Sequence, residues 1–269
     1  MTPTVTVEQR EQVRGYLLEQ YAGVFGAAEI DFHLDAHLGY GFADHACQVI
    51  ATALPAGSRV LDVGAGFGSF VLLARARGFE AIGTEIAPFE VEFSRRRLSS
   101  ERPSDDPRHV FLDHGIFSCE LDRQAFDAIT FWNVLEHIEH VRPILERAKS
   151  LLRPGGAIYL VCPNYAAWRN EAHYQVPWHP LLNRQAAIRR LRRFGKDPRF
   201  FETSVFPITN WRVMQELTRL GFVLYDRLNQ HAMLPGHGLM EALVRRPLQV
   251  VDYFNPCRPS VELAARRRD

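Results

Sequence analysis

The sequence is poor in cysteine and lacks long apolar runs. Its four cysteines among 269 residues are scattered and form no CxxC pair, so neither a disulfide framework nor a zinc knuckle is expected. Reduced thiols in a cytoplasmic protein are the simplest interpretation. Apolar segments are short and interrupted by charges, which disfavours a membrane-spanning helix. The N-terminal residues also lack the charged-then-apolar order of a signal peptide.

An excess of charge of one sign is also absent. The 32 Lys and Arg residues nearly cancel the 31 Asp and Glu residues, which leaves a formal net charge of +1. A globally basic nucleic-acid-binding protein is therefore disfavoured, although a local basic patch is not. With 46% hydrophobic residues the chain can bury a full core. Its length fits one large α/β domain or two small ones.

Between residues 58 and 162, short apolar runs alternate with amphipathic segments. This alternation predicts an α/β fold with a parallel sheet, right-handed crossovers and helices on both faces. Such sheets bind ligands at the carboxyl ends of their strands. The predicted strands are Arg59–Val63, Ala81–Thr84, Val110–Leu112, Ala128–Phe131 and Ala157–Val161, and the predicted helices are Ser69–Arg77, Phe89–Leu98 and Val134–Leu152.

The regions on either side differ from this stretch. Residues 1–57 are predicted to be mostly helical and to form an N-terminal cap. Residues 163–206 are rich in aromatic residues and arginine and follow the fifth predicted strand as an insertion. Residues 207–269 return to the sheet and end in a tail that we expect to be frayed. The predicted elements in these flanks are helices at Gln9–Phe25, Ala43–Leu54 and Asn210–Leu220 and a strand at Phe222–Leu228.

A glycine-rich loop follows the first predicted strand. Gly64, Gly66 and Gly68 lie between that strand and a helix in the run Val-Leu-Asp-Val-Gly-Ala-Gly-Phe-Gly-Ser-Phe. Glycines there permit a tight turn and close approach of a ligand, and the helix start directs free N–H groups at it. The spacing is neither the GxGxxG of a dinucleotide fold nor a phosphate loop. The loop therefore suits an adenosine ligand that carries a carboxylate.

Carboxylates end the next two predicted strands. Glu85 follows the second strand and is placed to accept hydrogen bonds from two ribose hydroxyls, as the equivalent acid does in dinucleotide folds. Asp113 follows the third strand and is placed to accept from an adenine amino group. A glycine turn or an acid alone is weak evidence. Their occurrence at three successive strand ends favours an adenosine site.

These features together resemble the class I S-adenosylmethionine-dependent methyltransferases. Residues 60–68 resemble that family's first motif, 126–138 its fourth, and 151–157 the Leu-Leu-Arg-Pro-Gly-Gly-Ala turn before the fifth strand. The Leu-Glu-His stretch within the fourth motif resembles the ubiquinone-biosynthesis-like branch, which acts on small molecules. The resemblance covers residues 58–162, and more weakly 205–228.

The resemblance implies a Rossmann-like, seven-stranded, mostly parallel sheet with a helical N-terminal cap and a cap insertion after the fifth strand. Residues 58–162 would be the S-adenosylmethionine-binding core, and 163–206 an acceptor-binding lid. Residues 207–269 would complete the core sheet.

The resemblance also assigns residues to S-adenosylmethionine, the expected cofactor. It implies that Asp62 orients the loop, that Glu85 binds the ribose and Asp113 the adenine, and that Asn133 lies near the sulfonium. The full set of expected cofactor-binding residues is Asp62, Gly64, Ala65, Gly66, Phe67, Gly68, Glu85, Ile86, Asp113, His114, Asn133, Val134 and His137.

Three histidines are candidates for a general base, His137, His173 and His179. Methyl transfer is an in-line displacement, and a hydroxyl or amine acceptor must lose a proton. His137 lies one turn after Asn133 on the predicted helix, and the other two lie in an aromatic stretch of the insertion. A capping or cofactor-contacting role for His137 and a structural role for His179 are the alternatives. No metal site is expected, because HxxH lacks a third ligand at metal spacing; Glu136 and His137 are the best available ligands.

Two further segments are open to more than one interpretation. Residues 31–42 carry His33 and His37 one turn apart and form either a second lid, with Tyr40 or Phe42 over the methionine end, or an exposed face. Residues 184–196 are rich in arginine and form a solvated helix face, a site that attracts an anionic acceptor, or a nucleic-acid or membrane contact.

The expected function is methyl transfer to a hydroxyl, or second to a nitrogen, of a small organic acceptor that is aromatic or anionic. Nucleic acid is not an expected partner, and no membrane span is expected. The alternatives are an RNA- or protein-directed methyltransferase that uses the arginine-rich segment, and a non-catalytic protein that binds S-adenosylmethionine.

Overall fold

A single mixed sheet organises the computed structural model, which describes residues 5–180, 182–226, 231–232 and 258–268. The strands of these residues are β1 (Arg59–Val63), β2 (Glu80–Thr84), β3 (Phe111–Leu112), β4 (Phe126–Trp132), β5 (Leu152–Pro163), β6 (Arg169–Asn170), β7 (Pro177–Trp178), β8 (Phe222–Asp226), β9 (His231–Ala232) and β10 (Ser260–Arg267). The helices are α1 (Val7–Gln20), α2 (Ala27–Leu38), α3 (Gly41–Ala51), α4 (Ser69–Ala76), α5 (Pro88–Glu101), α6 (Pro107–Val110), α7 (Val141–Leu151), α8 (Arg184–Arg193), α9 (Arg199–Ser204) and α10 (Asn210–Arg219), with a 3-10 helix at Leu135–His137.

The strand order of the main sheet is β3-β2-β1-β4-β5-β10-β8-β9. The first five strands in this order are parallel, and β10 runs antiparallel between β5 and β8. This confirms the Rossmann-like, seven-stranded, mostly parallel sheet, to which the two-residue β9 adds an edge strand. Because β1 to β4 are parallel, the residues that follow them meet at one edge of the sheet.

Both faces of the sheet are covered by helices, as expected. Along β1, Leu61 and Val63 point into a cluster that includes residues of α7 and α10, whereas Val60 points into one that includes residues of α3 and α4. This alternation buries both faces of β1 from Val60 to Val63, including the carboxyl group of Asp62. Within the described residues, no helix has the combined length and apolarity needed to cross a membrane.

The predicted helix Val134–Leu152 is present, but its predicted start is wrong. The chain forms the short 3-10 helix Leu135–His137, and α7 begins only at Val141. Pro143 explains the break, because proline has no N–H to donate and its ring clashes with the carbonyl four residues earlier. Proline is tolerated in the first turn of α7, where the N–H groups have no partner in the helix.

The other predicted elements differ mainly at their ends. The first predicted helix ends at Gln20, and the predicted strand start at Val110 belongs to α6. In β5, Leu152 pairs with Phe126 and Ala157 with Ala128, so the pairing is irregular at the intervening Arg-Pro-Gly-Gly residues. The residues of the expected turn therefore lie within β5. The predicted residue Leu228 lies outside the described residues.

The expected frayed tail is also wrong. Residues 260–267 form β10, which pairs with β5 on one side and β8 on the other. Val261, Leu263 and Ala265 pack on one face of the sheet and Ala264 on the other, and all four are buried. The tail therefore completes the core.

The N-terminal helices and the insertion pack against each other and against the core. Val13 and Leu34 of α1 and α2 pack with Phe67, which follows β1. Val24 packs with Trp178 and other buried residues of the insertion. These contacts are consistent with a cap made of the N-terminal helices and the insertion. The exact boundaries at residues 57, 163 and 206 stay predictions.

Candidate functional site

The glycine loop (Gly64–Gly68) joins β1 to α4. The backbone N–H groups of Gly64 and Ala65 donate to the Thr84 carbonyl at 2.8 and 3.0 Å, which fixes the loop to the end of β2. Gly64, Gly66 and Gly68 have φ angles of 74°, 52° and 79°. This left-handed region favours glycine, so the sequence spacing and the backbone shape of the turn agree.

Two of these glycines also allow close packing. A Cβ atom on Gly64 would lie 2.7 Å from a methyl of Val134, and one on Gly68 would lie 2.7 Å from the ring of Phe111. The first contact joins the glycine loop to the segment after β4. At Gly66 the nearest atom would be a carboxylate oxygen of Glu90, at 3.4 Å. A larger side chain is therefore excluded by neighbours at two positions and by backbone conformation at all three.

Glu85 is held in place by the backbone of two loops. Its Oε2 accepts the N–H of Gly66 at 3.0 Å, and its Oε1 accepts those of Ile86 and Ala87 at 2.6 and 2.9 Å. Three donors fix the carboxylate and leave a lone pair on Oε2 for one further donor. The Ile86 side chain is 75% exposed beside this carboxylate. The acid predicted for the ribose thus touches the glycine loop directly.

Asp113 lies at the rim of the same edge. Its Oδ1 is 2.7 Å from His114 Nδ1, and its Oδ2 is 3.4 Å from Arg95. The hydrogen bond with His114, helped by the Arg95 charge, lowers the pKa of Asp113. Its side chain remains 52% exposed, so it is open to a ligand.

Asp62 and Phe67 point away from the open edge. Asp62 is buried and accepts a hydrogen bond from Thr130 of β4 at 2.6 Å, and burial raises its pKa to about 8. This bond ties two strands together, and a role in orienting the loop stays a prediction. The Phe67 ring is 3% exposed and packs edge-on against Phe93, at 5.6 Å between ring centroids. Only the backbone of Phe67 is left to face a ligand.

Glu90 is a residue of this edge that the sequence reasoning missed. It lies in the first turn of α5, beside Gly66, and its Oε1 accepts a hydrogen bond from the Tyr16 hydroxyl at 3.0 Å. Burial and the nearby charge of Glu85 raise the pKa of Glu90 to about 7. The sequence feature that could have indicated Glu90 is its position in the first turn of the helix that follows β2 and Glu85.

A second group, the Glu-His-His cluster (Glu136, His137 and His173), begins two residues after Val134, which contacts the glycine loop. One ligating atom from each residue lies within 4.8 Å of the other two, and the two imidazole rings are 5.1 Å apart. His137 lies on the 3-10 helix, where its N–H donates to the Val134 carbonyl at 2.9 Å. The predicted α-helical alignment of His137 with Asn133 is therefore wrong, because the left-handed Asn133 (φ 56°) precedes the 3-10 turn.

Burial dominates the electrostatics of this cluster. It raises the pKa of Glu136, which is 1% exposed, to about 7. Partial desolvation by neighbouring groups and the nearby His173 lower the pKa of His137 to about 4, although part of its side chain is exposed to solvent. Burial alone would raise the pKa of Glu171, but hydrogen bonds from the His173 ring, the Tyr165 hydroxyl and the Tyr174 N–H lower it to about 2. The cluster thus combines a neutral imidazole with a buried carboxyl group.

The structure brings together two of the three histidines predicted as bases. His137 and His173 share the Glu-His-His cluster. The ring of His179 instead packs edge-on against Trp168, with centroids 4.6 Å apart, near the hairpin formed by β6 and β7. His179 is not one of the residues that converge after β4, so its catalytic role stays a prediction without structural support.

The N-terminal segment packs against the glycine loop and the end of β4. The His33 ring packs against Phe25 at 4.1 Å, and the His37 ring lies 5.4 Å from Phe67. Tyr40 is buried and donates a hydrogen bond to Glu101 of α5, and its place over the methionine end stays a prediction. Phe42 instead packs on Trp132, the last residue of β4, at 5.5 Å.

Part of the arginine-rich segment holds the insertion together. Arg184 donates to the carbonyls of Val205 and Phe201 at 3.1 Å, and Arg190 donates to that of Pro177. Arg189 and Arg193 are exposed. A structural role for two of these arginines was not among the interpretations of the sequence.

Comparison with known proteins decides the family. The family model described as "Methyltransferase domain" matches residues 36–198, which is more than half of the chain. The chain belongs to this methyltransferase family. It is an S-adenosylmethionine-dependent methyltransferase, in agreement with the motifs of its sequence and with its fold.

Relatives of this methyltransferase include enzymes of quinone biosynthesis. Demethylmenaquinone methyltransferase of Tropheryma whipplei (strain Twist) is 25% identical over 190 residues, covering 70% of this chain and 72% of the relative. The ubiquinone biosynthesis O-methyltransferase of Xanthomonas axonopodis pv. citri is 35% identical over 116 residues, or 42% and 46% of the two chains. A solved S-adenosylmethionine-dependent methyltransferase from Mesorhizobium loti has the same fold, with a TM-score of 0.54, 18% identity and coverage of 84% and 99%.

Proposed function

We propose that this methyltransferase transfers a methyl group to a hydroxyl of a small aromatic acceptor. The observation that carries the proposal is the adjacency of two groups at one sheet edge. The glycine loop packs on Val134, and Glu136 and His137 follow Val134 in the next turn. A cofactor on the loop side would therefore lie beside groups that can handle the acceptor's proton.

The fit of the first group to S-adenosylmethionine supports this placement. That cofactor supplies an electrophilic methyl on its sulfonium. The glycine loop presents backbone that a ligand can approach closely, and Glu85 has a fixed oxygen ready to accept from a ribose hydroxyl. Asp113 is open to the adenine. We assign Asn133 and Val134 to the methyl-bearing end, because Val134 touches Gly64.

The Glu-His-His cluster suits a hydroxyl acceptor. Displacement by oxygen needs alignment at roughly 3–3.5 Å and loss of the hydroxyl proton. The Nδ1 of His137 is 2.6 Å from the Ser204 carbonyl and must donate to it, so Nε2 keeps its lone pair. The Phe200 ring lies 5.3 Å from His173 and offers an apolar wall to a flat molecule. One relative is named an O-methyltransferase, which also favours oxygen.

The test is transfer of labelled methyl from S-adenosylmethionine to matched acceptors. Catechol and its diamine counterpart have the same aromatic ring, but the first carries two hydroxyl groups and the second two amino groups. We expect S-adenosylhomocysteine and labelled product with catechol, and less with the diamine. An enzyme that binds the cofactor in calorimetry but transfers methyl to no hydroxyl acceptor in a broad phenol panel would contradict the proposal. It would favour a non-catalytic binding protein.

A further inference from the structure

The Glu-His-His cluster has the composition and placement of a cation site. One carboxylate oxygen and two imidazole nitrogens converge from two segments, the 3-10 helix after β4 and the insertion after β5. We propose that Glu136, His137 and His173 hold a divalent transition-metal cation and that this cation binds the acceptor hydroxyl. The proposal rests on the proposed function, because it specifies how that hydroxyl loses its proton. It opposes the expectation from sequence spacing that no metal is bound.

Both imidazole rings form the outer hydrogen bonds that are typical of metal-binding histidines. The Ser204 carbonyl can only accept, so the Nδ1 of His137, at 2.6 Å, carries the proton. His173 Nδ1 lies 3.2 Å from Glu171, a buried carboxylate that also accepts backbone N–H groups of His173 and Tyr174. Each ring therefore leaves the lone pair of Nε2 free. Such outer hydrogen bonds to a carbonyl or carboxylate are the usual support of metal-binding histidines.

The third ligand provides an independent observation. Glu136 is 1% exposed, and no described residue forms a hydrogen bond with its Oε2. Among the residues that the structure describes, Glu136 forms no ion pair with a lysine or arginine. A buried carboxylate oxygen without a partner is costly, since burial removes its hydration. A cation within the cluster would supply the missing partner and charge.

The donor set selects the class of cation. One oxygen and two nitrogens suit zinc, manganese, cobalt or iron, whereas magnesium and calcium prefer oxygen ligands alone. Three protein ligands also leave at least one position open, as in catalytic zinc sites. That position is where we place the acceptor oxygen. Segments 37 residues apart supply Glu136 and His173, which explains why sequence spacing missed the site.

The chemistry balances without any oxidant or reductant. The O–H bond of the acceptor breaks, its proton leaves to solvent water, and the electron pair stays on oxygen. This pair forms the new O–CH₃ bond as the bond from methyl to sulfur breaks. The electrons of that bond remain on sulfur, so the sulfonium becomes a neutral thioether. The cation stabilises the oxygen anion before attack, which is how bound metals activate hydroxyls near neutral pH.

The first experiment is a titration of tag-free, chelator-treated protein with Zn²⁺ and with Mg²⁺ in a calorimeter. We expect one Zn²⁺ per chain and clearly weaker binding of Mg²⁺. Glu136→Gln and His173→Ala should each weaken Zn²⁺ binding by about 10-fold or more. The control His140→Ala removes an exposed histidine of the same segment and should bind Zn²⁺ like the wild type. No stoichiometric binding, or binding equal in all variants, would overturn the proposal.

A second measurement needs no variant. One equivalent of Co²⁺ added to the chelator-treated wild type should give the visible absorption of a low-symmetry nitrogen–oxygen site, and Zn²⁺ should displace it. A spectrum identical to aqueous Co²⁺ would overturn the proposal even where the variants fail to fold.

Turnover separates this proposal from the proposed function. Chelator-treated enzyme should still bind S-adenosylmethionine but should form little S-adenosylhomocysteine until Zn²⁺ or Mn²⁺ is restored. Full turnover after chelation would overturn the metal site and leave methyl transfer intact. Stoichiometric Zn²⁺ binding without any methyl transfer would support the site and contradict the function.

Discussion

The glycine loop and the Glu-His-His cluster lie side by side but are built in different ways. The loop and Glu85 are joined by a single 3.0 Å hydrogen bond between segments that pair in the parallel sheet. The cluster instead joins a 3-10 helix to an insertion outside the main sheet. The first group is fixed by strand pairing and backbone conformation. The second depends on how the insertion packs.

This difference predicts that the two groups can be disabled separately. Substitutions in the glycine loop should remove cofactor binding and leave the insertion folded. Substitutions that support the cluster should alter stability or turnover and leave cofactor affinity close to that of the wild type. The variants below test this separation.

The largest effect is expected from Gly66→Arg. The arginine would have to adopt the left-handed backbone of Gly66 and would place its side chain on the ligand side of the loop, beside Glu90. Binding of S-adenosylmethionine should be abolished in isothermal calorimetry. Gly15→Arg is the control, because Gly15 is exposed on α1 and a Cβ added there would have no heavy atom of the described residues within 4 Å. Unchanged affinity of Gly66→Arg would mean that the cofactor does not use this loop.

A smaller loss is expected from Glu85→Ala. It removes the carboxylate that we assign to the ribose and leaves the N–H groups of Gly66 and Ile86 without this acceptor. Cofactor affinity should fall by about 1–3 kcal/mol, the usual cost of stranding polar groups. The measurement is again calorimetry, with Glu80→Ala at the exposed start of β2 as the control. Normal binding by Glu85→Ala would place the ribose elsewhere.

The fold side of this comparison was largely predictable from sequence. The bounds of β1 agree with the prediction, because an apolar run followed by three closely spaced glycines marks both its presence and its end. The helix after β4 was misjudged because apolar periodicity continues through Pro143, and periodicity does not report a missing N–H. β10 was missed because Ala264 and Ala265 are followed by charges, and only pairing with β5 and β8 makes that segment a strand.

Site residues at the ends of strands were predicted from the sequence, whereas residues placed by the packing of distant segments were not. Glu85 was found because parallel strands bring their carboxyl ends together. Glu90 was missed because its side chain reaches the glycine loop only through the position at which α5 begins. The pairing of His137 with His173 depends on the path of the insertion. No spacing rule encodes such a path.

The support of the cluster can be tested with Glu171→Gln. The buried carboxylate accepts four hydrogen bonds, including one from the Tyr165 hydroxyl at 2.5 Å and one from the Tyr174 N–H at 2.7 Å. In Glu171→Gln, an NH₂ group replaces one of the two carboxylate oxygens and faces N–H or O–H groups that also donate. The free energy of unfolding should therefore fall by about 1–2 kcal/mol. Urea unfolding measures this, with the exposed Glu139→Gln as control. If Glu171→Gln also weakens S-adenosylmethionine binding by a similar free energy, then the glycine loop and the cluster cannot be disabled separately.

The smallest effect concerns pH. Burial beside Glu85 raises the pKa of Glu90 to about 7, above its ordinary value in the unfolded chain. Between these two values the folded protein keeps a proton that the unfolded chain has released, so stability falls as pH rises through this window. Asp62 and Glu136, whose pKa values burial also raises, contribute slopes of the same sign. His37 and His137, whose pKa values desolvation lowers to about 4, oppose them below the ordinary histidine pKa. The three acids outnumber these two histidines, and their window extends to about pH 7 to 8. The free energy of unfolding of the ligand-free protein should therefore be lower at pH 8 than at pH 5.

Glu90→Gln should flatten that slope without removing it. Glutamine can still accept from the Tyr16 hydroxyl but does not titrate, so only the Asp62 and other contributions remain. Glu92→Gln on the exposed side of α5 is the control and should keep the wild-type slope. The measurement is urea unfolding at pH 5 and pH 8 for all three proteins. If Glu90→Gln shows the same change in unfolding free energy between pH 5 and pH 8 as the wild type, then Glu90 is already ionised across this range. That result would contradict a protonated Glu90 beside Gly66.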